Sequence, residues 1–185
     1  MLRESYQELA ARTINNRLYD YEMETHALHG MASEIGEIGE EYAKLLDGYL
    51  FDHDHTKSEL GDLIWFVAEY CTATNLEFAK FVHANEDVIR NVIYDYDKEI
   101  FAYMNLSRAI SKLQGLYQKS YQGHKFDESK AEQMVNDIVR AIMEYSVRIE
   151  FDFDDVLQTN IDKLVNRYPY GFETKHSVNR KEGDM

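Results

Sequence analysis

Apolar side chains recur along this chain at the spacing of amphipathic helices, and no stretch carries a competing strand pattern. The pattern predicts an all-α helical bundle. Gly48 and Gly123 predict the ends of two long helices, because glycine readily adopts the left-handed conformation that closes a helix. The sequences beginning at Thr56 and Asn75 predict the starts of two others. The predicted helices span residues 3–17, 21–47, 57–72, 76–92, 95–121, 130–148 and 153–168.

Length and composition predict a single compact domain over residues 1–172, followed by a tail from 173 to 185. The one proline, Pro169, marks the end of the last long helix. The one cysteine, Cys71, excludes an intramolecular disulfide and favours a reducing, cytoplasmic environment. The charged, amphipathic N-terminus predicts neither a signal peptide nor a membrane partner. The net charge of −14 argues against nucleic acid as a partner.

Two pairs of carboxylates are the most informative feature of the helical pattern: Glu34 with Glu37, and Glu59 with Asp62. Each pair has the i, i+3 spacing that directs both side chains from one helix face. Four acids brought together repel each other, and a bound divalent cation offsets that repulsion. Since every ligand is an oxygen, the predicted metal is Mg²⁺, with Mn²⁺ as a substitute. Glu59 has an alternative role as the acid of a capping box.

Other polar residues near these pairs are weaker candidates. Glu41 shares the helix face of the first acid pair and is considered an outer ligand, whereas Glu40 is predicted to be solvated surface. The run of acids and histidines at 52–55 is predicted to be a solvated loop. His26 and His29 are predicted to form core or interhelical hydrogen bonds rather than to bind a metal.

The segment from His26 to Cys71 resembles the MazG-like branch of the all-α nucleoside triphosphate pyrophosphohydrolases, whose signature is ExxE, a spacer and ExxD. Here 21 residues separate Glu37 from Glu59, which suits that spacer. The stretch from Asn160 to Phe172 is similar to the C-terminal helix and stop of that family, with the pattern N-x-x-K-L-x-x-R-Y-P. Two motifs in the family's order form a stronger signal than either motif alone.

The resemblance implies an Mg²⁺-dependent enzyme that cleaves nucleoside triphosphates between the α and β phosphates, yielding a nucleoside monophosphate and pyrophosphate. The metal-binding and catalytic residues that follow from it are Glu34, Glu37, Glu59 and Asp62. The substrate-binding candidates are Asn160, Lys163, Arg167, Tyr168 and Trp65. A core position is the alternative for Trp65. Two other functions stay open, namely a non-catalytic nucleotide-binding regulator and a carboxylate-bridged redox metalloprotein.

The chain also contains an internal repeat. Shifting the sequence by 75 residues without a gap pairs residues 14–91 with 89–166 and gives 20 identities in 78 positions. Because there are only two long copies, a fused dimer is a better interpretation than a solenoid. We therefore expect two tandem MazG-like repeats packed as a pseudo-dimer, present in solution as a monomer or a homodimer.

The two copies differ at the positions that carry chemistry. Where the first copy has its three glutamates, the second has Ala109, Lys112 and Met134. Only the aspartate is kept, as Asp137, and Lys112 is predicted to pair with it in place of a metal. Conversely, the first copy has valines where the second has Lys163 and Arg167. This complementary loss predicts one composite site, with the metal on the first copy and the substrate phosphates on the second.

Overall fold

The structure is a computed structural model that describes residues 2–92 and 98–178. The helices in these two segments are α1 (Leu2–Ala11), α2 (Asp20–Leu46), α3 (His53–Ala73), α4 (Phe78–Ala84), α5 (Glu86–Asn91), α6 (Glu99–Tyr121), α7 (Glu128–Arg148), α8 (Phe153–Arg167) and α9 (Thr174–Val178). They pack as a bundle, which confirms the predicted all-α class. The predicted helix start at 95 and the end of the tail, 179–185, lie outside the described residues.

Two neighbouring pairs of helices form the body of the bundle. α2 packs along α3, α6 packs along α7, and α1 and α8 cover the outer face of α3. One continuous core runs between them; among its fully buried side chains are Tyr6, Leu60, Ile64, Leu106, Ile138 and Leu157. Neither described segment contains a helix long and apolar enough to cross a membrane.

Three predicted helices have different bounds in the structure. The first helix ends at Ala11, and the hydroxyl of Thr13 donates to the carbonyl of Ala10 at 2.8 Å just beyond that end. The third helix begins four residues early, because Asp52 accepts the backbone N–H of His55 at 2.9 Å and caps it. The predicted helix at 76–92 is divided into α4 and α5 at Asn85.

The predicted capping box at Thr56 is therefore wrong as well. Thr56 is buried in the first turn of α3, and its hydroxyl donates to the carbonyl oxygen of Asp52 at 2.8 Å. Glu59 lies one turn further along and is free of a capping role. That leaves its carboxylate for the interior of the bundle.

The internal repeat is reflected in the helix bounds. The 75-residue shift places α3 (His53–Ala73) on α7 (Glu128–Arg148), residue for residue at both ends. The predicted closing glycines correspond as well, since Gly48 and Gly123 have φ angles of +89° and +90°. Both long helices thus end as predicted, each at a glycine in the left-handed region.

Two pairs of tyrosines join the halves reciprocally. The hydroxyl oxygens of Tyr42 and Tyr145 lie 3.0 Å apart, and those of Tyr70 and Tyr117 lie 2.7 Å apart. Under the 75-residue shift Tyr42 corresponds to Tyr117 and Tyr70 to Tyr145. Each pair is therefore the other pair with its members exchanged, which is the property of a twofold interface. The pseudo-dimer itself stays a prediction.

Glycines inside α2 and α3 can allow close helix approach near the acids. A Cβ atom on Gly61 would lie 3.0 Å from the Cβ and 3.3 Å from the Nδ2 of Asn160 in α8. Nothing lies within 4 Å of a Cβ built on Gly36. Gly61 therefore lies at a close contact with α8, and Gly36 does not.

These two glycines give a matched test of the packing of α8. We expect Gly61→Ala to destabilise the protein by about 1 to 3 kcal/mol, because the added methyl group displaces Asn160. Gly36→Ala should stabilise it by about 0.5 to 1 kcal/mol, since alanine loses less backbone entropy in a helix. Urea unfolding measures both, and equal effects of the two substitutions would contradict the close approach at Gly61.

Candidate functional site

A cavity of about 530 Å³ lies between α2, α3 and the C-terminal end of α8. All four predicted acids line it: Glu34, Glu37, Glu59 and Asp62. The rest of its wall includes the guanidinium group of Arg167 and several aromatic rings, namely Trp65, Phe66, Tyr168 and Phe172. The structure therefore brings the predicted metal ligands together with three of the five predicted substrate-binding residues.

Three of the acids converge. Glu34, Glu59 and Asp62 each place one carboxylate oxygen within 4.8 Å of the others. Oxygens around an octahedral Mg²⁺ at about 2.1 Å are roughly 3 to 4 Å apart, so a small closure of the triad suffices to form one side of such a site. The donor set, all carboxylate oxygens, fits Mg²⁺ or Mn²⁺.

Glu37 lies outside this triad. It lines the same cavity, and its Oε1 accepts a long hydrogen bond of 3.4 Å from the hydroxyl of Ser33. Its predicted role as a ligand stays a prediction. In this geometry it is the carboxylate that faces the cavity without belonging to the acid triad.

The crowding of the acids changes the protonation of Glu34. Burial, a hydrogen bond with Glu59 and repulsion from neighbouring carboxylates, Asp62 foremost, raise the pKa of Glu34 from 4.5 to about 9. At neutral pH Glu34 therefore carries a proton. A cation bound by the triad would replace that proton, so metal binding and proton release are coupled.

The raised pKa of Glu34 predicts how the stability of the metal-free protein depends on pH. Because the folded-state pKa of Glu34 lies above its unfolded value, its stabilising contribution is complete below pH 4.5 and is lost as pH rises toward about 9. We expect Glu34→Gln to remove that loss in metal-free protein, so that its melting temperature exceeds that of wild type increasingly between pH 5 and 9. Calorimetry in EDTA tests this, and a difference independent of pH would contradict it.

Asp62 is held by two residues of α8. Asn160 Nδ2 donates to its Oδ1 at 2.9 Å, and Lys163 Nζ donates to its Oδ2 at 2.6 Å. Asn160 is buried and accepts the hydroxyl proton of Tyr6 at 2.8 Å, while Lys163 also contacts Ser58 Oγ at 2.9 Å. Both were predicted to bind substrate, a role that stays a prediction. In this structure they orient Asp62, and Lys163 supplies a positive charge beside the triad.

Lys163 should therefore compete with a metal for Asp62. We expect Lys163→Met to tighten Mn²⁺ binding about three- to tenfold in the absence of nucleotide, because a partly buried ion pair no longer has to be broken. Lys57→Met is the matched control, since Lys57 lies on α3 and pairs with Asp155 instead. Electron paramagnetic resonance measures free Mn²⁺ directly; unchanged or weaker binding in Lys163→Met would refute the competition.

His55 is a residue near the site that the sequence pattern missed. The segment 52–55 was predicted to be a solvated loop, yet His53 begins α3 and His55 turns inward. Its Nδ1 lies 3.1 Å from Glu59 Oε1, and its Nε2 lies 3.9 Å from Glu41 Oε1. The i, i+4 spacing of His55 and Glu59 was the available signal.

Glu40 and Glu41 lie in different environments. Glu40 is exposed, as predicted. Glu41 is buried, but its carboxylate accepts from Lys44 Nζ at 2.5 Å and from the backbone N–H of Asp52 at 3.3 Å. It therefore supports the loop before α3 and does not join the acid triad.

Trp65 lies between the end of α1 and the cavity, and its role in substrate binding stays a prediction. Its indole N–H donates to Thr13 Oγ1 at 2.9 Å and to the carbonyl of Ala10 at 3.3 Å, which fixes the ring against the end of α1. Its ring meets Phe66 edge-on at a centroid distance of 4.9 Å and lines the cavity. The tryptophan is thus a rigid wall of the site.

The matching positions of the second half line a pocket of about 180 Å³ between α6 and α7: Ala109, Lys112, Met134 and Asp137. Within the described residues, no group of three metal-binding side chains is found there. Lys112 and Asp137 line the same pocket, but the lysine nitrogen and the carboxylate oxygens lie more than 4.0 Å apart. The predicted ion pair is therefore not formed. Asp137 instead accepts a long hydrogen bond of 3.5 Å from Gln133.

Comparisons with protein family models, with curated proteins and with solved structures found no match to this chain.

Proposed function

We propose that this protein is an Mg²⁺-dependent nucleoside triphosphate pyrophosphohydrolase that cleaves between the α and β phosphates. One observation carries the proposal: an oxygen-only acid triad shares a 530 Å³ cavity with Arg167 and an aromatic wall. Carboxylates can coordinate a metal ion that binds phosphates, and the guanidinium can pair with the phosphates directly. The aromatic rings can pack against a nucleobase. The acids come from α2 and α3, and Arg167 ends α8. The site is thus composite between the two halves of one chain.

Each residue has a task in the proposed reaction. Glu34, Glu59 and Asp62 would hold the metal, which when bound neutralises phosphate charge and activates water. Glu37, which faces the cavity from outside the triad, is positioned to orient the attacking water or accept its proton. Arg167 would neutralise the phosphate chain. Asn160 and Lys163 keep Asp62 in place.

A product assay with three carboxylate variants tests the proposal. Wild type with Mg²⁺ should convert nucleoside triphosphates to monophosphate and pyrophosphate. Glu59→Gln should weaken metal binding by about tenfold or more. Glu37→Gln should lower kcat by about 100-fold or more with metal affinity retained, because it removes a general base. Glu40→Gln is the control, since Glu40 lies exposed on the same helix.

Other outcomes identify the alternatives. Orthophosphate as the product would contradict cleavage between the α and β phosphates. Tight nucleotide binding without turnover would identify a non-catalytic regulator. Iron or manganese retained through purification, with a redox signal, would identify a carboxylate-bridged redox protein. Light scattering with sedimentation would distinguish a monomeric pseudo-dimer from a homodimer.

A further inference from the structure

Half-exposed His26 of α2 and buried Glu69 of α3 form a pair of side chains at the edge of the cavity. His26 Nδ1 is 2.7 Å from Glu69 Oε2, which confirms the predicted interhelical hydrogen bond of His26. The side chain of Glu69 is 0% exposed, and its other oxygen, Oε1, has no hydrogen-bond partner. The imidazole is therefore the sole hydrogen-bond partner that this carboxylate has within the described residues.

The burial of Glu69 determines which atoms of the His26–Glu69 pair carry protons. An ionised carboxylate with no compensating charge is very costly in the interior, so the pair as a whole is neutral. Either His26 is an imidazolium beside a carboxylate, or the shared proton sits on Glu69 and His26 is neutral. Both arrangements leave a proton on Nε2. The hydrogen bond with Glu69 raises the pKa of His26, and burial raises the pKa of Glu69, in agreement with this assignment.

The other ring nitrogen of His26, Nε2, is available to a ligand in the cavity. His26 lines the cavity, and its side chain is 51% exposed. No hydrogen bond from its Nε2 to a described residue is formed, while the rings of Trp65 and Phe66 flank it at centroid distances of 6.3 and 5.4 Å. His26 and Glu34 are eight positions apart on α2, which corresponds to about 12 Å of helix. This donor is therefore remote from the acid triad and lies in an aromatic part of the wall.

We propose that His26, oriented by Glu69, is the donor that selects the nucleobase by hydrogen bonding to a keto oxygen. The identity of the ligand as a nucleotide rests on the proposed function. A fixed N–H complements the exocyclic oxygen of uracil, thymine or guanine and opposes the amino group that cytosine or adenine presents at the same place. Such a mismatch leaves two donors facing each other, which is how a polar pocket rejects a close analogue.

The second half of the chain lacks this device. The counterpart of His26 is Phe101, and the counterpart of Glu69 is Glu144, which lies 3.5 Å from Arg148. The carboxylate position is kept while its imidazole partner is absent, in the half that also lacks the acid triad. The pair thus belongs to the cavity that carries the acids.

The test removes the pair as a unit. His26→Phe alone would leave a buried carboxylate without a partner and could unfold the protein, so the variant is His26→Phe with Glu69→Leu. His29→Phe is the matched control, because His29 lies exposed one turn along the same helix and does not line the cavity. The substrates are two pairs that differ in keto against amino groups: dUTP with dCTP, and dGTP with dATP.

We expect wild type and His29→Phe to favour the keto member of at least one pair by about tenfold or more in kcat/KM. The double variant should lose that preference, through KM, while its affinity for Mn²⁺ is unchanged. A preference retained by the double variant, or an amino preference in wild type, overturns the assignment and leaves the proposed function standing.

Two further measurements separate this inference from the proposed function. Nitrogen-15 NMR of His26 at neutral pH should show a protonated Nε2, and an unprotonated Nε2 overturns the assignment whatever the protein hydrolyses. Calorimetry with α,β-imido dUTP and α,β-imido dCTP measures selection without turnover. Selective dUTP binding that the double variant loses, in a protein with no hydrolysis, supports the role of His26 and refutes the proposed reaction.

Discussion

The carboxylate of Asp62 is the point on which the arrangement of the site depends. Both of its oxygens are bonded by α8, through Asn160 and Lys163, and α1 joins the same network through Tyr6. The absence of a side chain at Gly61 lets α8 approach closely enough for these bonds. One acid of the first half thereby sets the position of the helix that ends in Arg167. Without the Asp62 carboxylate, α8 would lack the hydrogen bonds that hold the wall opposite the acid triad in position.

The same acids make the site costly to the fold. Three carboxylates share a small volume, and one of them keeps a proton at neutral pH to reduce the repulsion. A continuous apolar core beneath α2 and α3 offsets that cost. Strain concentrated at a functional site and compensated elsewhere is a common division of labour in proteins. Here the repulsion between carboxylates is confined to one wall of the cavity.

The sequence predicts local features well and long-range contacts poorly. The helical period and the two closing glycines identify most helices, because both signals are contained within a few residues. The start of α3 differs from the prediction because Asp52, and not Thr56, caps the helix. The bonds of Glu69 to His26 and of Lys163 to Asp62 join residues 43 and 101 positions apart. No spacing rule for a single helix reaches that far.

The reciprocal tyrosine pairs have a consequence for how such a protein can evolve. In a dimer of separate identical subunits, every substitution appears twice, so a glutamate cannot be lost from one site alone. Two halves on one polypeptide remove that restriction, because each position is encoded once. In the predicted pseudo-dimer the tyrosines would preserve a symmetric interface, while the pockets on either side would be free to diverge. Lys112 where the first half has a glutamate, and Phe101 where it has a histidine, are differences that only a molecule with both halves on one chain can accumulate.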